Sequence, residues 1–318
     1  MEHLYTITMR KHFNTYWVFI KRTFVQFLEH DSFSHASSIA FSTIFSLPAI
    51  LIIALSLASQ FFEKELVQDE LLHQFERLIG NGSAQEIKQI IQNSTRDTDN
   101  IIAGLIGLAT LIFSATTVFI ALQSSLNSLW GIKPKPQKSW LKFIVNRLLS
   151  FAMVMSFGFV LLVSLLIEAI LAIFQNRLSE VLDGAMTNLL PGVNLLISLL
   201  IITFIFALIF KVLPDAKIRW RDLWVGAFIT ALLFTAGKYL IGLYLGNSGI
   251  HSAYGAAGSF VVILFWVYFS TIIFLFGAAL TREYAAQFGT AIEPYADAVS
   301  FKIVEMPHDD QPSKPRKE

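Results

Sequence analysis

Two ionisable residues stand inside long apolar runs: Lys238 in Phe234-Thr235-Ala236-Gly237-Lys238-Tyr239, and Glu168 in Leu165-Leu166-Ile167-Glu168-Ala169. A charge near the middle of a bilayer costs about 3 kcal/mol even on the lenient insertion scale, so each requires a partner or a wet cavity. An ammonium and a carboxylate at similar depth could pair across a helix bundle, or could line a polar cavity that receives an amphipathic substrate. Lys238 could instead snorkel to the headgroups. Two amides add to these candidates. Gln123 and Asn127 lie four residues apart and continue a polar stripe through Ser114 and Thr117. Inside membranes such side chains commonly tie helices together, at about 0.6 kcal/mol per hydrogen bond, which favours helix ties over substrate contact. The triplet Arg219-Trp220-Arg221 places an interfacial ring between two cations, a pattern suited to anionic phospholipid headgroups.

Bond-making chemistry finds no support. The seven histidines are scattered and form no helical pair at metal spacing. There is no glycine-rich phosphate loop and no Gly-x-Ser-x-Gly elbow. Without cysteine there is neither a thiolate nucleophile nor a Cys-ligated metal. The expectation is therefore no catalytic residue, no metal, no cofactor and no enzymatic activity. Nucleic acid is not an expected partner.

The elements that must position these residues are long and apolar. Six runs, Ser37 to Gln60, Ile101 to Gln123, Val145 to Phe174, Val193 to Phe210, Leu223 to Leu245 and Ser259 to Leu280, are each long enough to cross a bilayer. Hydrophobic residues make up 54% of the chain and charged ones 15%, and mean hydropathy is +0.59, far from a soluble domain of this length. Placing alternate connections on opposite sides puts 18 Lys and Arg on one side and 5 on the other, with Lys238 alone inside a span. The positive-inside rule then places both termini in the cytoplasm.

Flanking segments follow the same logic. In residues 1–36, Phe13, Trp17, Ile20, Phe24, Phe27 and Leu28 recur at helical spacing, while Arg10, Lys11, Asn14, Lys21 and Arg22 fall largely off that stripe. This basic amphipathic helix would lie on the membrane surface or pack beneath the bundle. Glu29 to Ser32 breaks it from the first span, and Pro48 lies within that span. The connection at 61–100 reads as a small helical cap outside the membrane. Leu66, Leu71, Phe75 and Leu78 mark one helix, and Ser83 with Glu86 begins a second. Gly131 to Pro136 must be extended, because proline disfavours helix in the residue before it. Gly242 and Gly246 permit close helix approach. Residues 291–318 turn polar and read as a disordered cytoplasmic tail. The domain layout is thus 1–36, a transmembrane domain at 37–290, and 291–318. The fold class is an all-α polytopic membrane protein with six transmembrane helices, an N-terminal interfacial helix and an extracytoplasmic cap.

Several stretches resemble one family. Ala40-Phe41-Ser42-Thr43-Ile44-Phe45-Ser46-Leu47-Pro48, Leu213-Pro214-Asp215-Ala216-Lys217-Ile218-Arg219-Trp220-Arg221-Asp222-Leu223 and Tyr254-Gly255-Ala256-Ala257-Gly258-Ser259 are similar to the YihY/BrkB family. Leu264 to Phe269, Phe276 to Leu280 and Gln123 to Trp130 fit the same pattern, so the resemblance covers about residues 20 to 290. It implies a multi-pass protein of the bacterial inner membrane. A ribonuclease BN label carried by some members gains nothing from the residues above, and no agreed catalytic residues carry over. Two functions fit: transport or flipping of an amphipathic, lipid-like envelope molecule, or a non-transporting scaffold for envelope assembly. Expected partners are membrane lipids, an amphipathic small-molecule substrate and, as an open alternative, further copies of the chain.

Overall fold

A computed structural model describes residues 17–59, 63–79, 84–85, 88–89, 101–135, 190–247, 254 and 257–301. Helix α1 covers residues 17–29, and a turn at His30 and Asp31 leads into α2, Ser32–Ala58. Asp31 takes the left-handed conformation (φ 49°), which lets the chain change direction between two helices without a longer loop. Then follow α3 (Lys64–Ile79), α4 (Ile101–Leu129), β1 (Ile132–Pro134), α5 (Leu190–Val212) and β2 (Ala216–Lys217). The chain continues through α6 (Trp220–Asn247), α7 (Gly258–Phe288), β3 (Glu293–Pro294) and β4 (Ala298–Ser300).

Five of these helices, α2, α4, α5, α6 and α7, are long and apolar enough to cross a membrane. They correspond to the first, second, fourth, fifth and sixth expected spans. The third, Val145 to Phe174, lies outside the described residues. Helix α7 runs eight residues beyond the expected end at Leu280, because Ala285 and other small or apolar residues still face the bundle there.

Helix α7 packs along both α6 and α2, α5 packs on α6, and α2 on α4. Phe206 and Phe210 of α5 meet Phe274 of α7, with ring centroids 6.0 and 5.2 Å away respectively. Leu126 and Leu129 of α4 complete this core. A second cluster joins Val67 and Leu72 of α3 to Leu51, Leu55, Ile241, Leu245 and Val262. The first cap helix is therefore packed onto the bundle. Its buried face includes Val67 and Leu72, whereas Leu66, expected on that face, is exposed. The expected second cap helix is described only at residues 84–85 and 88–89, which are helical.

A close backbone approach joins α6 to α7 by a reciprocal pattern. Gly226 of α6 faces Thr281 of α7, and Gly277 of α7 faces Thr230 of α6. Each threonine hydroxyl donates to the carbonyl of the glycine four residues before it, Thr230 to Gly226 (2.7 Å) and Thr281 to Gly277 (2.8 Å). The hydroxyls are thus satisfied within their own helices. Gly242, expected to serve such an approach, meets nothing within 4 Å.

One expectation is corrected in part. Residues 291–301, read as the start of a disordered tail, carry two strands. Strand β4 pairs antiparallel with β1, Ile132 opposite Ser300, and β3 pairs with β2, Ala216 opposite Pro294. Prolines at 134 and 214 keep the segments after α4 and α5 from continuing as helix, so their backbone groups need partners from elsewhere. The segment following α7 supplies them. Gly131 (φ 67°) accepts from the Phe301 N–H at 2.8 Å. Residues after 301 lie outside the described set.

Candidate functional site

Polar side chains converge at one end of the bundle, where α4, α5 and α7 finish and α2 and α6 begin. Exposed Lys133, Lys135, Lys217, Arg219 and Arg221 make it the basic end. Its centre is Asp215, held in the turn that Pro214 forces after α5. Asn127 forms a reciprocal pair with it. The amide nitrogen donates to Asp215 Oδ2 at 2.8 Å, while the Asp215 backbone N–H donates to Asn127 Oδ1 at 2.9 Å. Gln123, one turn earlier on the same face of α4, donates to Oδ1 at 3.3 Å. The Asp215 carbonyl accepts from Tyr295 N–H at 3.0 Å, drawing in the C-terminal segment. Asp215 thereby ties α4 to the α5–α6 turn through its carboxylate, and holds the residue after β3 through its backbone carbonyl. Both amides offered by the sequence as substrate contacts have Asp215 as their partner, which is the tying arrangement.

A second knot lies beside it. Trp130 Nε1 donates to the Ala278 carbonyl of α7 at 3.1 Å. The Arg282 guanidinium donates to the Leu129 carbonyl and stands 3.4 Å from His30 Nε2. His30 Nδ1 is 3.0 Å from the Gln26 carbonyl. A carbonyl can only accept, so Nδ1 carries the proton and Nε2 is left to accept from Arg282, which fixes a neutral tautomer. Exposed Arg22 of α1 lies 3.9 Å from the buried Glu283, a loose ion pair. On α6, Asp222 is buried in the first turn and accepts from the Thr290 N–H at 3.0 Å, which holds the chain where α7 ends.

Burial holds the His30 pKa below the ordinary histidine value of 6.5. The Gln26 hydrogen bond opposes that shift and the Arg282 charge adds to it. A base whose folded pKa is depressed contributes stability that is complete above the unfolded value and lost as pH falls through the folded one. Thermal unfolding in detergent should therefore show a melting temperature that drops by a few degrees as pH falls below 6.5. His30→Gln, which keeps a donor and an acceptor, should flatten that dependence. Equal slopes for the two proteins would show that His30 does not link pH to stability.

The headgroup candidates sit at the start of α6. Arg219, Trp220 and Arg221 are all exposed. Lys211 Nζ donates to the Ile218 carbonyl at 2.6 Å and lies 5.8 Å from the Trp220 ring centroid, so one aromatic face already holds a cation. Lys238 lies on the same helix, about 27 Å further along at 1.5 Å per residue. It is half-buried, its ammonium stands 5.3 Å from the centroid of the exposed Tyr239 ring, and no ion pair reaches it among the described residues. Glu168, its expected counterpart, lies outside the described residues. Among the described residues no three His, Asp or Glu side chains gather as a metal site.

Sequence reasoning missed the roles of Asp215, His30, Arg282 and the Gly226–Gly277 pair. A signal existed for Arg282, a lone cation just past an apolar run, but its acceptor is a carbonyl that spacing cannot show.

The family description Virulence factor BrkB matches residues 23–300. A UPF0761 membrane protein of Pseudomonas paraeruginosa is 27% identical over 281 residues, 86% of this chain and 64% of that protein. Another, of Tolumonas auensis, is 30% identical over 193 residues, 60% of this chain and 59% of that protein. A third, of Verminephrobacter eiseniae, is 26% identical over 252 residues, 77% of this chain and 57% of that protein. The chain thus spans less than two thirds of the length of these curated relatives. No solved structure matches.

Proposed function

The chain belongs to the virulence factor BrkB family of membrane proteins, and on that premise we propose that it moves an anionic, lipid-like envelope molecule between the leaflets of the bacterial inner membrane. It does so without making or breaking bonds. Lys238 carries the reading: a half-buried ammonium inside a span, without an ion pair among the described residues, has the chemistry to receive a phosphate or carboxylate headgroup. Exposed Arg221 sits in the first turn of the same helix and exposed Arg219 just before it, so cations stand at both ends of a headgroup's path. Cross-helix hydrogen bonds crowd the basic end, which supports a bundle held shut there. The basic end faces the cytoplasm under this reading, as the charge asymmetry expects.

Native mass spectrometry of protein released from mild detergent tests the binding step. The wild type should carry a discrete anionic lipid adduct enriched over the bulk membrane. Lys238→Ala should lower its occupancy about tenfold, the worth of one charge-assisted contact. Adducts that match bulk lipid in both proteins would remove the basis for transport and leave the scaffold reading, in which the α3 cap carries partner contacts.

A further inference from the structure

Helix α1 has two apolar faces, and only one has a partner among the described residues. Its inner face buries Phe19, Thr23 and Phe27. Phe19 lies 6.0 Å from Phe288 and Phe27 5.6 Å from Phe276, ring centre to ring centre, so this face is seated on α7. Its outer face carries Trp17, Ile20, Phe24 and Leu28 at helical spacing, with relative exposures of 61%, 51%, 53% and 46%. The sequence expected either a surface helix or one packed beneath the bundle, and the inner face is packed against α7.

We propose that the outer face of α1 docks into the headgroup boundary of an anionic membrane leaflet, with its apolar stripe at the acyl edge and Lys21 on lipid phosphates. Three observations favour this occupant. First, an apolar stripe of such side chains is unstable in water and marks an interaction surface. Second, the two-residue turn at His30 and Asp31 ties α1 to the first residues of α2, a candidate span, which keeps the helix at the membrane boundary. Third, the charge beside the stripe is positive. Lys21 is exposed and borders Phe24, Val25 and Leu28 by helical spacing, whereas Glu29 falls off the stripe near the turn. The same end also exposes Lys133, Lys135, Lys217, Arg219 and Arg221, so its field favours acidic lipid over neutral lipid. Docking of α1 requires no transport activity.

The chain has no cysteine, so single spin labels can be placed without removing native thiols. Labels at Ile20→Cys, Arg22→Cys and Phe24→Cys are read in the whole chain, reconstituted into vesicles of phosphatidylcholine alone or mixed with phosphatidylglycerol. In the mixed vesicles, collision with oxygen should exceed collision with a water-borne nickel complex several-fold at positions 20 and 24, and the order should reverse at 22. Lys21→Ala should lower the docked population about fivefold in the mixed vesicles and leave neutral vesicles unchanged, the effect of one basic residue near an acidic surface. Water-like labels at 20 and 24 in both vesicles would overturn docking. Equal immersion in both, unaffected by Lys21→Ala, would overturn its dependence on anionic lipid. Dipolar broadening that vanishes on dilution with unlabelled protein would place a second copy on this face and overturn the lipid assignment.

Discussion

Gly277→Leu should abolish accumulation of folded protein, and Gly277→Ala should lower its stability by about 1–3 kcal/mol, the usual cost of forcing extra atoms into a packed interface. A methyl group at Gly277 would run into the Thr230 side chain and stand 2.7 Å from its Cβ. At Gly226 it would meet Thr281 and stand 2.9 Å from the Thr281 Cα, where no rotamer change gives relief. Gly226→Ala should therefore be the more damaging alanine substitution. The two contacts sit 4 residues apart on each helix, so either change levers the antiparallel pair apart where the two helices pack closely. Thr230→Gly, introduced with Gly277→Ala, removes the obstructing side chain and should restore most of the loss. Melting curves in detergent compare the two alanine variants and the double variant with the wild type. Wild-type stability in Gly226→Ala would contradict the close approach.

The second large effect falls on Asp215. Asp215→Ala strips the amides of Asn127 and Gln123 of their acceptor and leaves buried Asn127 with unsatisfied donors. Hydrogen bonds to charged groups contribute about 1.5–3 kcal/mol, and an unmet buried donor costs a similar amount. A loss of about 3 kcal/mol is expected, with Asp215→Asn milder because one side-chain oxygen remains. The backbone bond from Asp215 N–H to Asn127 survives both changes and is lost in Asn127→Ala. A double-mutant cycle between Asn127→Ala and Asp215→Ala should give a coupling energy well above zero. Additive losses would mean that the two residues stabilise the protein independently.

Much of the fold was legible because bilayer thickness converts hydropathy directly into helices. The starts and ends of α4, α5 and α6 fall within a few residues of the apolar runs, apart from the extra turns of α4 after Gln123. The break before α2 was marked by Glu29 to Ser32, and the extended segment after α4 by Pro134 and Pro136. The site was harder to see. Gln123 and Asn127 stood out as polar residues in an apolar run, but their partner Asp215 lies 88 residues from Asn127, beyond any local pattern. The ordering of 293–301 depends on strands β1 and β2 far upstream, so polar composition alone pointed to disorder. The Gly-x-x-x-Gly pattern drew attention to Gly242, which meets no neighbour within 4 Å. The close approach uses glycine against threonine, a pairing that becomes visible only once two helices are set side by side.

Leaflet exchange of a fluorescent anionic phospholipid in proteoliposomes tests the central claim most directly. With the label placed in both leaflets and a membrane-impermeant reductant added outside, protein-free vesicles should protect about half of the signal. Wild-type protein should expose the protected half. Lys238→Ala, checked for retained helicity and melting temperature, should move the trace back towards the protein-free level. Wild-type vesicles that protect as much signal as empty ones, in either membrane orientation, would contradict transport of a lipid-like anion.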